Sequence, residues 1–90
     1  MRIDKESNFR KNRRIMCKNI HGTDVLIDPY RRTLVHLNPT ASLIWRLLDG
    51  ERSCAGIIEA LREEFEAGDK QIEADVVSLL KELLKREMIE

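Results

Sequence analysis

Residues 36–50 read HLNPTASLIWRLLDG, and the way this stretch folds governs the reading of everything around it. Its first residues close the run TLVHL (33–37), rich in β-branched and leucine side chains, and the texture changes at Asn38-Pro39. Asn is a strong N-cap because its side-chain oxygen accepts from the free N–H groups of a first helical turn. Pro fits the first helical position because the N–H it lacks has no partner there. The stretch therefore predicts a strand end, a hinge and a helix over 39–49. Ala41, Ile44, Leu47 and Leu48 recur at three- and four-residue spacing as its buried face, with Trp45 at the edge of that face and Gly50 as a left-handed stop.

Upstream lie two further short runs, IMCKNI (15–20) and DVLID (24–28), parted from each other and from RTLVHL (32–37) by turn-forming segments containing Gly, Asp and Pro. They predict strands near 15–20, 24–28 and 33–37 in an antiparallel meander. Alternation in the last strand turns Thr33, Val35 and Leu37 to the core and Arg32, Leu34 and His36 away from it. Downstream, Ser53 caps a helix predicted over 54–66, with Ile57, Ile58, Leu61 and Phe65 on one face. AGDK (67–70) is a turn, and a longer helix over 72–86 buries Val76, Leu79, Leu80 and Leu83. The fold class is α+β: a small winged helix-turn-helix-like domain over 14–90, with a three-stranded antiparallel sheet followed by three helices. Residues 1–13, with Ile3 and Phe9 as their large apolar groups, read as a flexible basic arm.

The 90-residue length allows one modest core. Net charge is zero, but residues 1–18 hold seven Lys or Arg against two acids, a net of +5, so residues 19–90 carry −5. An acidic folded part argues against a nucleic-acid partner, whose phosphates demand a basic surface. No apolar run is long enough for a bilayer, and the cationic N-terminus leads into no apolar segment, so a cytoplasmic location without membrane contact is expected. Cys17 and Cys54 are too far apart in sequence to suggest a metal or redox motif and read as small core or surface residues.

No set of residues predicts catalysis. His21 and His36 lack companions for a base–nucleophile pair or a metal site, and Glu63, Glu64 and Glu66 fall on a helix face away from Leu61 and Phe65. There is no phosphate-binding glycine loop and no nucleophile elbow. No metal, no cofactor and no enzyme activity are expected.

The third helix is asymmetric. Val77 and Leu84 lie on one flank of its buried stripe with Lys81 and Lys85 just beyond, and Asp75 and Glu82 lie on the other. Either Val77 and Leu84 widen the core, or they line a groove for an apolar segment with acidic neighbours.

LNPTASLIWRLLDGERSCAGII (37–58), followed by IEADVVSLLKELLKREMI (72–89), resembles the PqqD-like family, small peptide-recognition domains of ribosomal-peptide biosynthesis. The likeness extends over 14–90. Two departures stand out: Glu87 occupies the place where most such helices close on Gly, and Asp28-Pro29-Tyr30 replaces the usual Pro-Glu. The resemblance implies a noncatalytic domain that binds the leader segment of a precursor peptide as an added strand and presents it to a peptide-modifying enzyme of radical SAM or lasso-peptide type. It implies candidate binding residues Arg32, Thr33, Leu34, Val35 and His36 on the edge strand and Val77, Leu80, Lys81, Leu84 and Lys85 on the third helix. A monomer or weak dimer is expected. The alternatives are a DNA-binding winged helix and an oligomerising structural subunit.

Overall fold

The structure, a computed structural model, describes residues 3–66 and 68–90. The three predicted strands form one antiparallel sheet in the order β2-β3-β4, with β2 at Met16–Ile20, β3 at Thr23–Asp28 and β4 at Thr33–Leu37. His21 and Gly22, both at positive φ, close the β2–β3 hairpin as a two-residue turn requires. The predicted alternation in β4 holds: Leu37 is buried, Thr33 and Val35 are half-buried, and Leu34 and His36 are exposed.

Helix α1 spans Pro39–Leu47, and Asn38 caps it by accepting from the Ala41 N–H at 2.8 Å. It ends two residues before the predicted stop, because the Asp49 carboxylate accepts from the N–H groups of Glu51 and Arg52 at 2.9 and 2.8 Å and turns the chain into a strand. That strand, β5 at Asp49–Ser53, pairs with β1 at Asn8–Arg10 in a separate two-stranded sheet, so the described residues hold five strands where three are expected. Gly50 has the positive φ expected of it (+84°), but inside β5 and not at a helix end; a Cβ there would lie 3.3 Å from the Arg10 Cβ.

The expectation of a flexible arm over 1–13 is corrected for its described second half. Phe9 is buried in the core, Arg10 and Glu90 exchange backbone hydrogen bonds of 2.9 Å, and the Asn12 N–H donates to the Met88 carbonyl. Met1 and Arg2 lie outside the described residues, as does Ala67 of the predicted turn.

Helix α2 spans Cys54–Glu64, capped by Ser53. Helix α3 spans Asp69–Lys85 and begins three residues early, with Asp69 favourably placed in its first turn. All three helices contribute to one core, which Leu26 and Leu37 enter from the sheet and Met88 and Ile89 from the C-terminal segment. Trp45 is 4% exposed and belongs to this core, not to its edge. The Lys11 ammonium lies 5.2 Å from its ring centroid. Among the described residues, no helix is long and apolar enough to cross a membrane.

Candidate functional site

Strand β4 has β3 on one side and, among the described residues, no strand on the other, so its outer N–H and C=O groups are available to a further strand. Two contacts fix how β4 runs past α3. At its start, Arg31 forms an ion pair with Glu87 beyond the end of α3 at 2.8 Å. Past its end, Asn38 shares a groove with Asp75, Ser78, Leu79 and Glu82 in the middle of that helix. The strand therefore runs from the C-terminal end of α3 towards its centre.

The groove itself lies between α1 and α3 and encloses ≈ 360 Å³. Ala41, Ile44 and Leu79 give it an apolar floor, and Asn38, Thr40, Asp75, Ser78 and Glu82 a polar rim. The rim acids are held in place: Glu82 accepts from Arg86, and Asp75 from Gln71, each at 2.8 Å.

The flank singled out from the sequence lies elsewhere. Val77 and Lys81 line a second shallow groove with Lys70, Glu73, Ala74 and Ser78, all on α3, whereas the first groove also takes Asn38 next to β4 and residues of α1. Glu73 is paired with Lys5 at 3.3 Å, so this flank adjoins the N-terminal segment. Val77 and Leu84 are half-buried against the core, while Lys81 and Lys85 are exposed. Leu80 is corrected as a surface contact: it is 0% exposed and can only support the helix from within. Arg32, Thr33, Leu34, Val35 and His36 do stand together along the free edge, with Arg32 at positive φ just before the strand begins. The sequence places Leu79 in the core and Asp75 and Glu82 on an acidic flank, and only the packing of Asn38 and α1 opposite them reveals that side of α3 as a groove wall.

Two carboxylates brace the edge. Asp28, with a fully buried side chain, accepts from Arg14 and from the Tyr30 and Arg31 N–H groups; the Arg14 hydrogen bond is the main cause holding its pKa below the usual carboxylate range. Asp24 is lowered chiefly by the Asn19 side-chain amide, and its ion pair with Arg46 at 3.6 Å ties β3 to α1. Asp28 is sealed from solvent, and Asp24, which lines a shallow pocket with His36, Ser42 and Arg46, is engaged by Asn19 and Arg46. Among the described residues, no three His, Cys, Asp or Glu side chains converge as a metal set would.

A free strand edge beside a helix groove is an arrangement that can take up an extended peptide. The family model described as coenzyme PQQ synthesis protein D (PqqD) matches residues 25–89, and the chain belongs to that family. It is 43% identical over 82 residues to a PqqA binding protein of Azotobacter vinelandii (strain DJ / ATCC BAA-1303), covering 91% of this chain and 86% of that one. A PqqA binding protein of Xanthomonas euvesicatoria pv. vesicatoria (strain 85-10) is 38% identical over 65 residues, 72% of this chain and 68% of its own. Among solved structures, a lasso peptide synthetase B1 complexed with the leader peptide superimposes with a TM-score of 0.81 at 27% identity, covering 93% of this chain and 99% of that one. TbiB1 in complex with the TbiA(beta) leader peptide shares the fold, with a TM-score of 0.78 at 23% identity over 90% of this chain and 94% of its own.

Proposed function

We propose that this chain binds the leader segment of a ribosomally made precursor peptide and holds it for a partner modifying enzyme, without catalysing a step itself. The observation that carries this reading is the unpaired outer edge of β4 running alongside α3. The leader adds as a strand to Thr33–Leu37, so main-chain hydrogen bonds supply affinity, and alternate leader side chains reach the floor of Ala41, Ile44 and Leu79 and supply selectivity. In this reading the helices and β-strands form a winged helix-turn-helix-like frame used for a peptide and not for DNA, in keeping with a chain of zero net charge where a DNA binder needs a basic surface. The partner enzyme is of the radical SAM or lasso-peptide kind, and the protein works in the cytoplasm.

A second seat for the leader side chains is the Val77, Lys81, Leu84 and Lys85 flank, favoured by the shallow apolar groove over Ala74 and Val77. Calorimetric titration with the leader of the precursor peptide encoded beside this chain separates the two. In the first arrangement Leu79→Asp weakens binding about tenfold or more, because it puts an unpaired charge where apolar groups enter, and Val77→Asp changes little. The reverse order, with melting curves showing both variants folded, assigns the leader to the Val77 flank. No binding by the wild-type chain overturns the reading.

A further inference from the structure

The outward face of the β2-β3-β4 sheet is apolar where an ordinary exposed sheet face is polar. Register places Met16, Ile27 and Leu34 side by side in one row, Lys18, Val25 and His36 in the next, and Ile20 beside Thr23 in the third. Of the four large apolar residues exposed among the described residues, three are on this face: Met16 at 43%, Ile20 at 47% and Leu34 at 59%. Its ionisable groups are Lys18 and His36. The two carboxylates of the sheet, Asp24 and Asp28, are on the opposite side with Arg46 and Arg14. The face is thus an apolar patch with Lys18 in its middle row and no acid.

We infer that this face docks the peptide-modifying partner enzyme, through an apolar surface of that enzyme bearing a carboxylate opposite Lys18. The inference rests on the proposed leader-binding function and deepens it by naming where the second partner sits. Charge chooses this occupant over a second copy of the chain. An isologous pairing repeats the same patch on both sides, so it would bury Lys18 against Lys18, Val25 or His36, none of which carries a carboxylate. An enzyme seated here also lies beside the leader, because β4 contributes Leu34 and His36 to this face and its free edge to the peptide.

The test uses the full chain and the purified modifying enzyme encoded beside it. Met16→Asp and Ile20→Asp alter exposed positions on β2, away from the leader edge, so either one that melts like the wild type serves. The expected result is enzyme affinity lower by about tenfold or more, with leader affinity unchanged. Lys18→Glu should lower enzyme affinity most at low salt. Enzyme affinity within about twofold of wild type in these variants overturns the inference. So does a wild-type dimer in sedimentation that Met16→Asp dissolves, or a loss of leader affinity in these variants with enzyme binding intact. A wild-type chain that binds the enzyme but no leader refutes the leader-binding reading instead, and the face variants still decide whether the enzyme docks here.

Discussion

Arg14 grips Asp28 with two hydrogen bonds, Nε to Oδ1 at 3.2 Å and Nη2 to Oδ2 at 3.1 Å, and so pins the residue that enters β2 to the end of β3. The same guanidinium donates to the Glu87 carbonyl at 3.2 Å and lies 5.8 Å from the Tyr30 ring centroid. One side chain therefore joins the entry to the sheet, the turn before β4 and the end of α3. Those are the parts that aim the free edge.

A pH dependence follows from this pair. Asp28 has a depressed pKa in the folded state, so its stabilisation is fully present above the ordinary Asp value of about 3.9 and is lost as pH falls through the lower, folded value. Thermal melts across pH should show wild type more stable than Asp28→Asn at pH 7, with the gap closing below about pH 4. A gap that stays constant down to acid pH would mean the carboxylate charge is immaterial.

Glu87 stands in the left-handed region at φ 57°, and the Met88 N–H reaches back to the Leu83 carbonyl at 2.9 Å, the bond pattern that ends a helix on a left-handed residue. Gly adopts that conformation without a Cβ clash, and the ion pair Glu87 makes with Arg31 is largely solvated. Glu87→Gly should therefore stabilise the domain by about 0.5 to 1 kcal/mol, read as a higher melting temperature. A lower one would show that the Arg31 contact outweighs the backbone strain.

Phe9 is 8% exposed and packs into the common core from β1. Phe9→Ala should cost about 3 kcal/mol, in the same range as Leu83→Ala in the middle of α3, while Lys81→Ala on the exposed face should be nearly silent. Denaturant melts rank the three. A silent Phe9→Ala would restore the picture of a loose N-terminal arm.

What could be read from the sequence and what could not divide along physical lines. The β2-β3-β4 meander and the three helices were legible because each carries its own periodicity and its own punctuation: Asn38-Pro39, Ser53, and His21-Gly22. Strands β1 and β5 were not. NFR is too short for a period, and DGERS has no β-branched residue, so both are strands only because they pair with each other, a tertiary effect that local propensity cannot register. The candidate site was half legible. Alternation along β4 separated Val35 from Leu34 correctly, but which flank of α3 meets β4 depends on how the strand crosses the helix. Asp75, Leu79 and Glu82 became groove residues only once Asn38 was seen beside them.

The central claim, a leader strand on the outer edge of β4, is tested most directly by amide hydrogen exchange on the full chain with and without the leader of the neighbouring precursor peptide. An added strand ties up the N–H groups of β4 that point away from β3, so alternate amides within Thr33–Leu37 should gain protection on binding, while Met16–Ile20 on the opposite edge of the sheet should be unchanged. Protection that appears on β2 instead, or saturating binding with no new protection in β4, would contradict the account.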